Sequence, residues 1–364
     1  MTIMRSRPDT AAATSAAPVN DESYVLEVRM LRKWYPVRQG LLLSLMGREP
    51  IQLKAVDGVT FALRAGEVLG IAGESGCGKS TTGMAVLQLQ KPTSGEIRFE
   101  GHTLDTSTDR ATMKAFRRRA QIVFQNPYES LNPRLTVADS IREPIEIHFP
   151  DEPERHHDML VRAMQRAGLV PVENYMDRFP HQLSGGQLQR VAIARAISIE
   201  PHFLVADEPV SMLDVSIRAG ILNLFRYFST ELGMAILYIS HDLSTMRHVC
   251  THVGIMYLGK IVEIGLAADV LDAPQHPYAQ ALMAAVPAMG KRTRESIELV
   301  GALPNPAEMP SGCRFHPRCQ KATDFCRGSE PELAHIDGVH MVACHPDRLP
   351  AAQHAHGWLP PVQP

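Results

Sequence analysis

The chain has 364 residues, enough for about two domains, and 45% of them are hydrophobic, enough for a substantial core. Its formal charge of −2 gives no bulk electrostatic attraction to nucleic acid or anionic lipid. No run approaches the ~18 apolar residues that cross a bilayer; the most apolar, Leu41-Leu42-Leu43-Ser44-Leu45-Met46, is far too short, and Arg5 and Arg7 are not followed by the apolar stretch of a signal peptide, so a cytosolic location is expected.

Taken in order, residues 1–22 offer little to bury and are expected to be disordered. Tyr24 to Lys33 and Val56 to Leu63 alternate or run apolar, as strands do, and Pro36 to Ile51 between them reads as an extended turn or insertion. Glu67 to Ala72 reads as a short buried strand and Thr81 to Leu89 as a helix. Ile97 to Phe99 and Ile122 to Phe124 read as further strands. From Val137 to about Gly168 the pattern is helical, with breaks expected at Pro144, Pro150 and Pro153. Helices are predicted over Gln187 to Ile199 and Ser216 to Leu232, and strands over Phe203 to Ala206 and Ala235 to Ile239. The alternation predicts an α/β fold: a mainly parallel sheet with helices on both faces, a helical subdomain over about 126–200, and an antiparallel β side sheet from the opening strands. From about Pro274 the regular pattern stops and Pro, His, Cys and Arg rise. A boundary is expected near residue 275, dividing a domain of residues 23–275 from a small appended domain of 276–364.

The strand-to-helix junction carries Gly73-Glu74-Ser75-Gly76-Cys77-Gly78-Lys79-Ser80, with Thr81 following. This is the G-x-x-x-x-G-K-[ST] form of a phosphate-binding loop. Glycines let the backbone curl so that several N–H groups point at one anion, and the next helix adds its positive end. Lys79 can reach the β- and γ-phosphates of a nucleotide, and the Ser80 hydroxyl can sit on Mg²⁺. Cys77 reads as a small residue that fits the loop; its thiol predicts inactivation by a thiol reagent and protection by MgATP.

Further features follow in a fixed order. Gln125 ends a predicted strand, where its amide can bond both metal-bound water and a mobile segment; the bland alternative is a surface glutamine. Leu183-Ser184-Gly185-Gly186-Gln187 precedes a helix and offers a second anion site, or a plain serine N-cap. Asp207-Glu208 ends an apolar strand: such an Asp can hold Mg²⁺, and the neighbouring Glu can deprotonate water, against the alternative of a helix-capping carboxylate. His241 follows another strand, where its imidazole can bond a γ-phosphate, although a lone His is more often structural. Tyr35 could stack on adenine, or simply fill core or surface. Arg117-Arg118-Arg119 reads as a solvated helix end, since nucleic acid would need a broader basic face.

This series resembles the nucleotide-binding subunit of an ABC transporter over about residues 25–270. The resemblance makes Gly73 to Ser80 the Walker A loop and Gln125 the Q-loop. It makes Leu183 to Gln187 the signature, Leu204 to Glu208 the Walker B strand, Ser211-Met212-Leu213-Asp214 the D-loop and His241 the switch histidine. Met212 departs from the small residue usual in that D-loop. Phe124-Gln125-Asn126-Pro127, Ser130 to Arg134, His276 to Leu282 and Gly312 to Cys319 resemble the oligopeptide/dipeptide importer branch, which also includes importers of glutathione and nickel complexes. The resemblance implies an ATPase that works at the cytoplasmic face of the membrane. Its implied partners are two permease subunits, a sister ATPase or a second copy, and an extracytoplasmic substrate-binding protein, with no nucleic acid. A DNA-repair ABC ATPase would carry a long insertion between loop and signature, and a translation-linked one would carry a second cassette; neither pattern is present.

Cys313, Cys319, Cys326 and Cys344 crowd the tail, with five, six and seventeen residues between successive members. In the cytosol such a cluster suggests metal before disulfides. The spacing lacks the close pairs of structural zinc and fits a larger cubane. The resemblance likewise implies a [4Fe–4S] cluster, with Zn²⁺ as the alternative, and His316 and His345 are possible substitute ligands.

Overall fold

The computed structural model describes residues 24–37, 52–105, 107–286, 301, 304–305 and 308–345, and the backbone of 353–355. The apolar run at 41–46, nearly all of the expected insertion and the expected disordered residues 1–22 lie outside the described residues.

The chain opens with β1 (Leu26–Pro36) and β2 (Gln52–Leu63), an antiparallel pair. β3 (Val68–Ala72) leads through the phosphate loop into α1 (Lys79–Val86). β4 (Ser94–Phe99), β5 (His102–Thr103), α2 (Arg110–Arg119) and β6 (Ala120–Val123) follow. The helical subdomain holds α3 (Pro127–Ser130), α4 (Val137–His148), α5 (His156–Arg166) and α6 (Gly185–Ile197). β7 (Phe203–Asp207), α7 (Val215–Thr230), β8 (Ala235–Ile239) and α8 (Leu243–Val249) return to the sheet. β9 (His252–Tyr257), β10 (Lys260–Leu266), α9 (Ala267–Asp272) and α10 (Pro277–Ala284) follow. The tail contributes α11 (Asp324–Gly328), β11 (Ala334–Gly338), β12 (His340–Val342) and β13 (Gln353–Ala355).

Two sheets result. The side sheet runs β2-β1-β4-β5, and the main sheet runs β13-β11-β12-β10-β9-β3-β8-β7-β6. In the main sheet β9, β3, β8, β7 and β6 are parallel neighbours. Every residue of β3, β7 and β8 is buried, as expected for strands covered on both faces. The period of two decides which face each side chain serves. Leu69, Ile71, Phe203, Val205, Leu237 and Ile239 pack toward the side sheet. Val68, Ala72, Leu204, Ala206, Ile236 and Tyr238 pack into the second core, with the helical subdomain.

The break expected at Pro144 does not occur, because α4 runs through it. Ile141 and Ile145, on either side of the proline, are fully buried in the core shared with α6, and that packing outweighs the lost backbone bond. The interruption falls instead at 150–155, where a single 3-10 turn at Pro153–Arg155 separates α4 from α5.

Past residue 275 the tail extends the cassette's own sheet: Glu263 and Ile264 of β10 pair with Val342 and Met341 of β12. The fully buried Glu263 carboxylate secures this seam. It accepts from Gln275 N (2.9 Å), His276 N (2.7 Å) and His340 Nε2 (2.8 Å), so one charge joins β10, the entry to α10 and β12.

Candidate functional site

The phosphate loop sits on a floor of backbone. A Cβ on Gly73 would lie 2.2 Å from Met256 O, and one on Gly78 2.1 Å from Ala55 O, at φ of +156° and +110°. Only glycine allows the loop to pass this close to β9 and β2. Ser75 and Gly76 form the exposed crown, Glu74, Ser80 and Thr81 are half-buried, and Cys77 and Lys79 are buried. Lys79 Nζ donates to Gly73 O (2.8 Å) and Glu74 O (3.0 Å), which holds the ammonium across the mouth of the loop.

The loop follows β3, and its parallel neighbours β8, β7 and β6 deliver the other candidates from their carboxyl ends, where ligands bind open α/β sheets. Ser80 Oγ donates to Asp207 Oδ1 across 3.0 Å. Burial pushes the Asp207 carboxyl above its ordinary range, the neighbouring charge of Glu208 adds to this, and the Ser80 hydrogen bond opposes it. A buried carboxylate beside a hydroxyl at an anion-binding loop is a donor pair suited to Mg²⁺.

Glu208 follows in a left-handed conformation, φ +45°, and Glu208 N still donates to Ile239 O at 2.8 Å. Such a backbone in a non-glycine residue is uncommon and re-aims the side chain where the strand ends. Its Oε2 accepts from Gln125 Nε2 at 2.9 Å and lies 3.1 Å from His241 Nδ1. One carboxylate oxygen thereby joins the ends of three strands. A glutamate so held can take a proton from water.

Ser184 caps α6 through a reciprocal box: its hydroxyl accepts from Gln187 N at 3.4 Å, and Ser184 N donates to Gln187 Oε1 at 3.0 Å. Gly185 is half-buried beside it, and Gly186 lets α6 approach α7, since a Cβ there would lie 2.7 Å from Ile217 Cγ2. Asp214 starts α7 with no side-chain cap bond, and Met212 beside it is 61% exposed. Tyr35 lies in the side sheet; its hydroxyl bonds Gln90 Oε1, and Lys33 Nζ sits 4.9 Å from its ring centroid.

Other contacts had no sequence signal. Glu74 N donates to Tyr278 Oη across 2.9 Å, and Arg318 pairs with the Glu74 carboxylate. Tyr278 lies in a stretch singled out only by resemblance, and its bond spans 204 residues of chain.

The four tail cysteines line one cavity of about 350 Å³, with His276, His316 and His345 in the same wall. Burial pushes the Cys313 thiol up to about 11, with the other three cysteines adding to the shift. Among the described residues no group of three or more His, Cys, Asp or Glu side chains is disposed to hold a metal ion. The expected iron–sulfur or zinc site is therefore present only as a shared cavity, and its ligation is not supported by this geometry.

Among the described residues no helix is long and apolar enough to cross a membrane. The family model "ABC transporter" matches residues 56–211, and "Oligopeptide/dipeptide transporter, C-terminal region" matches 262–326. The chain is 44% identical over 328 residues to the oligopeptide transport ATP-binding protein AppF of Bacillus subtilis, covering 89% of this chain and 98% of that protein. It is 43% identical over 322 residues to the dipeptide transport ATP-binding protein DppF of Escherichia coli, covering 88% and 93%. Among solved structures, the dimeric ATP-binding cassette MJ0796 bound to ADP and Pi superposes with a TM-score of 0.58 at 26% identity, covering 66% of this chain and 98% of that one. CbiO1 from Clostridium perfringens, part of the ABC transporter complex cbiONQ, superposes with a TM-score of 0.57 at 28% identity, covering 69% and 92%.

Proposed function

Because this chain belongs to the ABC transporter ATP-binding family, in the group of oligopeptide/dipeptide transport ATPases, we propose that it hydrolyses ATP to drive import of peptides through separate membrane subunits. The observation that carries the reading is the Glu208 carboxylate, held by Gln125 and His241 beside the Ser80–Asp207 pair at the mouth of the phosphate loop.

In this reading Lys79 and the loop N–H groups of residues 74–81 bind the β- and γ-phosphates, and Tyr35 flanks the adenine. Ser80 and Asp207, with Gln125, hold Mg²⁺, which when bound neutralises phosphate charge. Glu208 accepts the proton of the attacking water, and His241 bonds the γ-phosphate. Two cassettes meet head to tail, so that Ser184, Gly185, Gly186 and Gln187 of one complete the phosphate site of the other, with Asp214 at the junction. ATP contacts both faces and favours the closed pair; hydrolysis removes those contacts and the pair opens. Gln125 and the helical subdomain over 126–200 pass the motion to the membrane partners.

The working assembly is two permease subunits, this chain with a sister ATPase or a second copy, and an extracytoplasmic substrate-binding protein, placed at the cytoplasmic face of the membrane. Residues 276–364 form an accessory C-terminal unit. A [4Fe–4S] group bound by the four thiols that line one cavity would fix the tail's fold. An anaerobic preparation absorbing near about 400 nm supports the cluster, and a colourless, zinc-containing one replaces it.

The function is tested with the ATPase, both permeases and the binding protein in lipid vesicles. ATP-dependent uptake of a labelled dipeptide is expected. ATP turnover without peptide uptake would shift the substrate to glutathione or a nickel complex, and absence of turnover would end the reading.

A further inference from the structure

We propose that Arg318, in the C-terminal tail, is a positioning residue for nucleotide binding. Through Glu74 it fixes the first arm of the phosphate loop and cancels an unfavourable charge there. The proposal rests on ATP binding at that loop.

Glu74 is a carboxylate inside a loop built to receive an anion, and left alone it repels polyphosphate. Arg318 Nη1 lies across both of its oxygens, 2.9 Å from Oε2 and 3.1 Å from Oε1. The Arg318 side chain is only 7% exposed, so the pair is screened far less than a surface one. The same residue is gripped at its backbone on both sides: Glu74 N donates to Tyr278 Oη, and Glu74 O accepts from Lys79 Nζ. Side chain, N–H and carbonyl of Glu74 are thus tied respectively to the tail, to α10 and to the loop lysine.

The segment that carries Arg318 is itself rigidly seated. Phe315 packs its ring 5.3 Å from Tyr257 and 5.4 Å from Tyr278. Arg314, 8% exposed, pairs with Asp57 and donates to Leu258 O. Asp57 also accepts from Trp34 Nε1 at 3.1 Å, one residue before Tyr35. Five residues of tail, Arg314 to Arg318, therefore brace the phosphate loop through Arg318 and the side sheet through Arg314. Among the described residues, the charge partner of the Glu74 side chain is Arg318, which the tail supplies.

The full-length protein is titrated with a fluorescent ATP analogue and Mg²⁺, and KM and kcat for ATP are measured with the permeases. Arg318→Ala is expected to raise Kd and KM about tenfold, with kcat within about twofold. Glu74→Gln removes the charge that Arg318 offsets, so Arg318→Ala/Glu74→Gln is expected to bind within about threefold of the parent. A purely structural role for Arg318 would not be rescued in this way. Should Arg318→Ala not fold, Arg318→Gln is read by the same two comparisons. An unchanged Kd in the single variant, or a double variant as weak as the single, overturns the proposal while leaving the ATPase reading intact. A parent protein that binds no nucleotide sinks both.

Discussion

Gln125 and Glu208 lie 83 residues apart in the chain and are joined by a 2.9 Å hydrogen bond from the Gln125 amide to Glu208 Oε2. The same oxygen faces His241 Nδ1 at 3.1 Å. A bond of this kind ties the orientation of the carboxylate to the end of β6 and the start of the helical subdomain. Whatever moves that subdomain also moves the Glu208 carboxylate, the group proposed to activate water.

Glu208→Gln keeps a hydrogen-bonding side chain of the same length and loses the base. ATP binding and ATP-dependent pairing should persist, while phosphate release falls about 10²- to 10³-fold. Phosphate release and gel filtration with MgATP check both halves, and unchanged hydrolysis removes Glu208 from the mechanism.

The three loop glycines with left-handed φ should not be equivalent. Gly78→Ala puts a methyl 2.1 Å from Ala55 O, a backbone atom that cannot step aside, so nucleotide binding should vanish. Gly76, at φ +79°, has open space around its missing Cβ, and alanine there costs only about 1–2 kcal/mol of backbone strain. Thermal unfolding and nucleotide titration of the two variants should separate clearly; equal losses would contradict the geometry.

His276 is fully buried, and burial pushes its imidazole down to about 3. In its neutral form Nδ1 accepts from Tyr278 N at 3.1 Å and caps α10. The unfolded chain takes up a proton below about pH 6.5 while the folded chain does not, so the stability contribution is complete above that pH and is lost as pH falls from about 6.5 toward 3. By pH 5 the loss should be roughly 2 kcal/mol. Urea midpoints at pH 5 and 7.5 measure it, and His276→Asn, which can still cap, should flatten this part of the dependence.

The six cysteines should react in two classes. Cys77 and Cys250 are buried, and burial pushes both thiols up, so they should label slowly. Cys319, Cys326 and Cys344 are half-exposed and should label first, whereas Cys313, whose thiol burial pushes up to about 11, belongs with the slow class. The expected inactivation through Cys77, with protection by MgATP, should accordingly develop slowly. Mass spectrometry of timed alkylation decides it, and fast labelling at Cys77 would show the loop to be more open than its packing allows.

Much of the site was legible along the chain, because its parts are contiguous. The Gly73 to Ser80 loop is defined by spacing within eight residues, and its flanking strand and helix follow from local periodicity. Asp207, Glu208, Gln125 and His241 were legible as residues at the ends of apolar runs. The structure sorts Leu69 and Ile71 into one core and Val68 and Ala72 into the other, as the period of a strand requires, but the sequence showed only that the run was buried. Local rules failed where packing overrode them, as at Pro144, which α4 passes through with Ile141 and Ile145 buried beside it.

What only the tertiary structure decided is which distant groups meet. Parallel pairing of β6, β7 and β8 brings Gln125, Glu208 and His241 onto one carboxylate. Docking of the tail puts Arg318 on Glu74 across 244 residues, and His340 on Glu263 across 77. Sequence periodicity reports which face of an element is apolar, a property of a few neighbouring residues. It carries no record of which charged partner will be desolvated beside which other, because that depends on how whole elements stack once their apolar faces are buried.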